Sequence, residues 1–242
     1  MRRVDLTLPF YYPDWVYRIW KTVKHDADPP DVGGIINLLG DRDIEWSWIA
    51  SQLPSGSGEA LDFGNGGSAL GLMAAIKGFK VVAVDLAKVE WPYQHKQLRF
   101  VQGDILTLNL PSHFYDLVIN CSTIEHVGLL GRYGVTDELP DGDLSAMARL
   151  CKLMKTDGIM LLTIPVGKDA VFHPLCRVYG ESRLPLLLEG FVVEKEVFWV
   201  KDEKNRWRLC DRIHALQFDS AVGSWNPREN ITALGCFVLK KP

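Results

Sequence analysis

Hydrophobic and polar positions follow a repeating order between residues 59 and 165. Short apolar runs rich in β-branched residues end at a polar residue, and several are followed by stretches with helical spacing. This pattern predicts five strands, at residues 60–63, 80–85, 99–102, 116–121 and 158–164. Strands that alternate with helices form parallel sheets with crossover connections, so the pattern predicts a doubly wound α/β domain.

Helices and late strands complete the predicted domain. Helices are expected at residues 44–53, 68–77 and 143–155, with Asp43 and Asp143 as N-caps, and a leucine-rich helix near 183–189. Two late strands, 192–200 and 233–240, predict a terminal antiparallel pair. The expected fold is Rossmann-like and doubly wound, with a mostly parallel seven-stranded sheet that includes an antiparallel C-terminal strand.

The first 45 residues differ from the rest of the chain. They lack clear periodicity, contain a Pro/Gly breaker cluster at 28–34, and are rich in aromatic residues: Phe10, Tyr11, Tyr12, Trp15, Tyr17 and Trp20. We therefore predict an aromatic N-terminal extension or lid over residues 1–45 and one domain over residues 46–242. A chain of 242 residues with 47% hydrophobic content is long enough for one such domain.

Charge and cysteine usage exclude several classes. The net charge of −3 gives no electrostatic footprint for long nucleic acid. The five cysteines form no C-x-x-C pair, which argues against a zinc site or a disulfide framework and favours the cytoplasm. No apolar run approaches the roughly 20 residues of a membrane-spanning helix, so no membrane span is expected.

A glycine turn follows the first strand and carries the most specific signal. Gly64, Gly66 and Ala69 spell G-x-G-x-x-A, which also suits a dinucleotide fold with a pyrophosphate at the helix N-terminus. Asp62 argues against that ligand, because a carboxylate two residues before the first glycine would repel a pyrophosphate. It would attract the ammonium and sulfonium groups of S-adenosylmethionine.

Further polar residues end the next strands. Asp85 is the last residue of the second strand and Asp104 follows the third, and in a parallel sheet both project at the carboxyl edge, where ligands bind. An acid at the position of Asp85 suits the ribose hydroxyls of any adenosine nucleoside. The fourth strand ends in small and polar residues and is followed by Glu125-His126. Three acids on consecutive strands favour a cationic ligand.

Over residues 46–165 these motifs resemble class I S-adenosylmethionine-dependent methyltransferases, especially the small-molecule branch that carries an E-H-V segment after the fourth strand. Ser68 replaces the last glycine of the usual D-x-G-x-G-x-G pattern. The resemblance implies that Asp85 holds the ribose and that Asp104 and Ile105 contact the adenine. The cofactor-binding residues that it implies are Asp62, Gly64, Asn65, Gly66, Gly67, Asp85, Leu86, Asp104, Ile105, Asn120 and Cys121. The chain also resembles a narrower group of methyltransferases without an assigned substrate, some of which belong with glycan assembly.

Two histidines are candidates for proton transfer. His126 could take a proton from an acceptor hydroxyl, since the histidine pKa is suited to that role, or Glu125-His126 could simply anchor a loop. His173 is a second candidate, and its alternative is a turn histidine before Pro174. Arg132 and Tyr133 are candidate acceptor contacts. The acids at 137–143 could bind Mg²⁺, but a helix cap and a solvated loop explain them better, so no metal site is predicted.

The favoured function is in-line methyl transfer to an oxygen of a sugar or another small polar acceptor, with the enzyme aligning nucleophile and sulfonium. Nitrogen in a planar base is disfavoured, because residues 120–123 lack the Asn/Asp-Pro-Pro-aromatic segment of that class. The alternatives are an NAD-dependent oxidoreductase or sugar-modifying enzyme, and a scaffold with a methyltransferase fold but no activity. The leucine run 184–188 is interpreted as core, with a homodimer face as the alternative.

Overall fold

The computed structural model describes residues 41–131, 133–202, 204, 206–224 and 229–242. Most of the predicted N-terminal extension, including its aromatic residues, lies outside the described residues, as does Arg132. Among the described residues, no helix has both the length and the apolar character needed to cross a bilayer.

An eight-stranded mixed sheet forms the centre of the fold. Its strands, in chain order, are β1 (Gly58–Phe63), β2 (Phe79–Asp85), β3 (Leu98–Gln102), β4 (Tyr115–Cys121), β5 (Met154–Val166), β8 (Val192–Lys201), β9 (Trp207–Cys210) and β10 (Ala233–Lys240). The spatial order is β3-β2-β1-β4-β5-β10-β8-β9. The first five pair in parallel, whereas β10 is antiparallel to both of its neighbours and β9 to β8. Strands β6 (Ala170–Phe172) and β7 (Cys176–Val178) form a separate hairpin.

Helices cover both faces of the sheet. They are α1 (Arg42–Gln52), α2 (Leu70–Ile76), α3 (Gly142–Leu153), α4 (Arg183–Leu187) and α5 (Arg212–Leu216). Alternate residues of one strand face opposite helix layers: Ala60 packs in the cluster with α1 and α2, and Leu61 in the cluster with α3, α4 and α5. Burial on both faces explains why the parallel strands are almost continuously apolar.

The predicted fold class is confirmed: the domain is α/β, doubly wound and mostly parallel, with an antiparallel C-terminal strand. The sheet has one strand more than the seven expected, because β9 adds to the outer edge of β8. Helical crossovers are fewer than the alternation suggested. The fully described connections 86–97 and 103–114 contain no helix, so only the connections after β1 and β4 carry one before the next parallel strand.

Both predicted N-caps are wrong. Helix α1 begins at Arg42 and α3 at Gly142, with Asp41 and Asp141 at the cap positions and without a side-chain cap hydrogen bond in either case. Asp143 lies one residue inside α3, where its buried carboxylate binds Arg183 and Tyr179. Distant partners therefore determine its role. The leucine run packs in the core through Leu184, Leu187 and Leu188, as interpreted, whereas Leu186 is exposed.

Candidate functional site

A cavity of about 320 Å³ opens at the carboxyl ends of β1 to β4. That volume lies within the range of small-ligand pockets, and the carboxyl edge is where parallel sheets bind ligands. Two parts of its wall come from different segments of the chain. The glycine-turn side comprises Asp62 to Ser68 with Asp85, Leu86 and residues 103–106. The His126 side comprises His126, Val127, Gly128, Tyr133, Val135 and Leu139.

The glycine turn requires glycine at two positions. Gly64 has φ +67° and Gly66 φ +46°, both in the left-handed region. A Cβ on Gly64 would lie 2.0 Å from Cγ2 of Thr123, whereas a Cβ on Gly66 would meet nothing within 4 Å. Gly64 is thus also the point where the turn touches the residues that follow β4.

Asp85 organises this turn. Its Oδ2 accepts a hydrogen bond from the backbone N–H of Gly66 at 3.0 Å, and its Oδ1 accepts one from Ala87 N–H at 2.9 Å. The carboxylate therefore joins the end of β2 to the turn after β1. It also occupies a backbone donor that a pyrophosphate would use in a dinucleotide fold.

Asp62 is buried at the end of β1, with a relative exposure of 2%. Burial raises the pKa of its carboxyl to about 7; a backbone hydrogen bond from Gly71 opposes this shift, and the charge of Asp85 adds to it. Gly71 lets the carboxylate approach α2, because a Cβ there would lie 2.7 Å from Asp62 Oδ2. In the protein without a ligand, Asp62 is therefore balanced between its neutral and charged forms at neutral pH.

Asp104 and Ile105 complete the edge after β3. Asp104 Oδ1 accepts a hydrogen bond from Leu106 N–H at 2.9 Å, so the acid forms a turn of its own while lining the cavity. Ile105 is 2% exposed and supplies an apolar surface beside it. A polar rim with an apolar floor suits a planar heterocycle that carries polar edges.

An aromatic pair braces the glycine turn from the connection after β2. Trp91 Nε1 donates to the carbonyl of Gly66 at 3.3 Å, and the Tyr93 hydroxyl donates to the carbonyl of Ser68 at 2.7 Å. The two rings stack with centroids 5.5 Å apart. These residues take the place of a crossover helix, and the sequence interpretation missed them.

The first turn of α1 also reaches the cavity, which sequence reasoning did not anticipate. Arg42 and Trp46 line it, and Arg42 pairs with the fully buried Glu45. Glu45 accepts hydrogen bonds from the hydroxyls of Ser122, which directly follows β4, and Thr163, which lies in β5. This buried polar cluster therefore holds α1 against the strand ends and places one guanidinium at the cavity wall.

His126 ends a 3-10 turn, Ile124–His126, and lines the cavity with a side-chain exposure of 13%. Its Nε2 lies 3.6 Å from Oε1 of the buried Glu125, and its ring packs against that of Tyr133 with centroids 5.5 Å apart. The imidazole therefore faces the cavity with a buried carboxylate on one side and an aromatic ring on another.

The structure brings together most of the predicted cofactor-binding residues. Those that line the cavity are Asp62, Gly64, Asn65, Gly66, Gly67, Asp85, Leu86, Asp104, Ile105 and Cys121. Asn120 does not line it; the residue is fully buried, and its amide donates to Met147 Sδ at 3.8 Å. Burial raises the pKa of the Cys121 thiol, so this cysteine is neutral at the cavity wall.

The structure does not bring His173 to the cavity. Its side chain is half exposed on the loop between β6 and β7, and its Nε2 lies 3.5 Å from Oε1 of Glu138. Two distinct loops meet at this surface pair, which matches the alternative of a turn histidine. Of the two candidate histidines, only His126 lines the cavity.

The strand order, the glycine turn and the cavity at the carboxyl edge are those of the class I S-adenosylmethionine-dependent methyltransferase fold. The resemblance seen in the sequence is therefore confirmed at the level of the fold. The chain belongs to the family described as Caenorhabditis protein of unknown function, DUF268, whose model matches residues 73–216. No curated protein matches the chain.

Three solved structures illustrate the likeness. The 1,6-didemethyltoxoflavin-N1-methyltransferase of Burkholderia thailandensis, with bound 1,6-didemethyltoxoflavin and S-adenosylhomocysteine, is 16% identical, with a TM-score of 0.53 over 98% of this chain and 94% of that one. An S-adenosylmethionine-dependent methyltransferase of Mesorhizobium loti is 13% identical, with a TM-score of 0.50 over 81% and 97%. A phosphoethanolamine N-methyltransferase 2 of Haemonchus contortus, in complex with phosphomonomethylethanolamine and S-adenosylhomocysteine, is 15% identical, with a TM-score of 0.51 over 81% of this chain and 52% of that one. At these identities the likeness concerns the fold.

Proposed function

We propose that the protein is an S-adenosylmethionine-dependent methyltransferase that acts on a small polar acceptor, with O-methylation of a sugar or glycan-related hydroxyl as the favoured reaction. The observation that carries this proposal is the convergence of Asp62, Asp85 and Asp104 with the glycine turn around one cavity. Two of the methyltransferases with this fold hold S-adenosylhomocysteine, and the charges of this cavity suit the same kind of ligand.

The residues present fit the donor. Asp85 would hold the ribose hydroxyls, and Ile105 with Asp104 would contact the adenine. Asp62 and Arg42 offer opposite charges, as required by the ammonium and carboxylate of a methionine group. Asn65 is buried, and its Oδ1 has no hydrogen-bond partner within the described part of the chain, so it offers a further acceptor at the cavity wall. The bound donor would supply an electrophilic methyl group on a sulfonium.

The chain's own contribution to chemistry is alignment and one proton transfer. His126 would accept the proton of the attacking hydroxyl, and Glu125 would stabilise the imidazolium that forms. The rings of Tyr133 and Trp46 offer flat surfaces on which the apolar face of a sugar ring can pack. Residues 1–45 would serve as the extension or lid of this domain, with Arg42 and Glu45 already part of the site. A cytoplasmic location and a homodimer remain predictions.

A dinucleotide suits this cavity less well. Asp85 already occupies the Gly66 N–H that would bind a pyrophosphate, and an anion beside Asp62 would have to keep that buried carboxyl protonated. The oxidoreductase alternative is therefore disfavoured on a specific hydrogen bond as well as on charge.

Isothermal titration with S-adenosylhomocysteine and with NAD tests the cofactor. We expect micromolar binding of the former and none of the latter, and the reverse result would overturn the proposal. The acceptor is tested with a tritiated methyl donor and a panel of sugars, glycans and small phenols. His126→Ala should reduce product formation at least 100-fold while S-adenosylhomocysteine affinity stays within about threefold of wild type. Binding without turnover across the panel would favour a scaffold instead.

A further inference from the structure

Arg177 lies on β7, outside the cavity lining, and is 1% exposed. Its guanidinium donates to backbone carbonyls of two separate segments. Nη1 bonds to Val127 at 2.6 Å and to Glu125 at 3.4 Å, and Nη2 bonds to Leu139 at 3.0 Å and to Pro140 at 3.3 Å. One side chain therefore joins the turn that carries His126 to the chain that enters α3.

The same two segments touch through their backbones. A Cβ on Gly128 would lie 2.5 Å from the carbonyl oxygen of Leu139, and a Cβ on Gly142 would lie 2.9 Å from that of Val127. Leu139 N–H also donates to the carbonyl of Gly128 at 2.9 Å. The two segments are therefore in direct backbone contact, and Arg177 donates hydrogen bonds to both of them at this contact.

Asp143 fixes the guanidinium from the other side. Its carboxylate is fully buried and lies 3.7 Å from Arg177 Nε, while it also accepts hydrogen bonds from Arg183 Nε at 2.9 Å and the Tyr179 hydroxyl at 3.0 Å. Asp143 keeps Arg183 if Arg177 is replaced, so a neutral residue at 177 leaves no lone buried carboxylate. Variants at 177 are therefore expected to fold.

We propose that Arg177 is a positioning residue: by donating to the carbonyls around His126, it holds the His126 side of the cavity in the shape that receives the acceptor. The catalytic consequence rests on the proposed function, but the positioning itself does not. Arg177 bonds to no residue of the glycine-turn side, so its loss should leave donor binding intact.

Hydrogen–deuterium exchange of the full chain tests this inference. The amides of His126, Val127 and Leu129 are hydrogen-bonded within the turn and report its opening. In Arg177→Gln we expect them to exchange at least tenfold faster, and Arg177→Lys should recover part of the protection. The matched control is Arg183→Gln, which removes the other guanidinium on Asp143 and a hydrogen bond to the carbonyl of Pro140 but no bond to the turn that carries His126. In this control the same amides should exchange as in wild type.

A second readout separates positioning from general loosening. The ¹H–¹⁵N signals of the His126 ring should shift in Arg177→Gln and stay in place in Arg183→Gln, while S-adenosylhomocysteine affinity changes less than threefold in both. If Arg177→Gln does not fold, Arg177→Lys supplies the same measurements. Unchanged exchange and ring signals in the folded variant, or equal changes in the control, would overturn the inference. Failure of wild type to bind S-adenosylhomocysteine would instead count against the proposed function alone.

Discussion

The two sides of the cavity are built in different ways. On the glycine-turn side, each acid lies at or near the carboxyl end of its own strand, and neighbours along the sheet edge hold the turn, as Asp85 does through its hydrogen bond from Gly66. On the His126 side, the shape depends on residues far away in the chain, since Arg177 binds the carbonyl of Val127 across 50 positions. Local sequence therefore specifies the first side, whereas tertiary packing specifies the second.

The difference has a functional meaning. A binding surface made from strand ends inherits the rigidity of the sheet, which suits a ligand that is the same throughout a fold. A surface made from loops and buried polar contacts can change without disturbing the sheet. Variants that damage one side and leave the other intact test this division.

Gly64→Ala should have the largest effect, because Gly64 is where the glycine turn touches Thr123, which follows β4. The added Cβ combines left-handed strain with overlap on Thr123, which together cost about 3 kcal/mol and should lower the melting temperature by about 6–12 °C. Gly66→Ala is the matched control, since it adds strain without overlap and should cost about 1 kcal/mol. Adding Thr123→Ala should restore part of the loss in Gly64→Ala only. Equal losses at both glycines would contradict this account.

Asp85→Ala should disrupt the glycine-turn side and leave the His126 side unchanged. It removes a charged acceptor from two backbone N–H groups and the proposed ribose contact, so S-adenosylhomocysteine affinity by calorimetry should fall about 100-fold. Asp219→Ala, at an exposed acid that pairs with Lys168, serves as the control and should bind as wild type. Exchange of the amides at 126–129 should not change. Faster exchange there would show that the two sides are not independent.

The pH dependence of donor binding should depend on Asp62. Its pKa is about 7 without ligand because of burial, and a cationic donor favours the carboxylate, so binding below pH 7 must release a proton. Affinity for S-adenosylmethionine should therefore fall by up to about tenfold per unit below pH 7 and level off above pH 8. In Asp62→Asn this dependence should be flat. A slope that survives in the variant would assign the proton to another group.

The free energy of unfolding should change with pH in the direction opposite to donor affinity. The folded pKa of Asp62 lies above the unfolded value of about 3.9, so the stabilisation is fully present near pH 4 and is lost as pH rises through 7. The melting temperature of ligand-free wild type relative to Asp62→Asn should therefore fall between about pH 4 and 7 and level off above pH 7. Burial also raises the pKa of Asp41 to about 7, but Asp41 titrates in both proteins and cancels in the difference.

Tyr93→Phe should have the smallest effect. It removes the hydrogen bond to Ser68 and keeps the stack on Trp91. We expect the free energy of S-adenosylhomocysteine binding to weaken by about 1 kcal/mol, which corresponds to a roughly fivefold lower affinity. Trp91→Phe removes the other brace and should act similarly. Tyr133→Phe, on the His126 side, is the comparison variant and should leave donor affinity unchanged. A loss of donor affinity in Tyr133→Phe as large as in Tyr93→Phe would contradict the division between the two sides.

Several features of the site could be predicted because they depend on short stretches of chain. Asp62, Asp85 and Asp104 each end a strand whose apolar run is visible in the sequence, and parallel pairing brings such ends to one edge. The braces could not be predicted. Trp91 and Tyr93 follow no periodic pattern, and Glu45 meets Thr163 across 118 positions. The predicted cap at Asp143 failed because its buried partners come from the segment of β7 and from α4.

The sequence by itself determined where the main strands lie along the chain, the glycine turn and the row of acids, since hydrophobic periodicity and backbone conformation are local properties. Only the tertiary structure decided that Arg42 and Glu45 join the site, that His126 faces the cavity and His173 does not, and that Asp143 binds two arginines. Those outcomes depend on which distant groups share a buried space, where each polar atom must find a partner, and no short stretch of chain encodes that pairing.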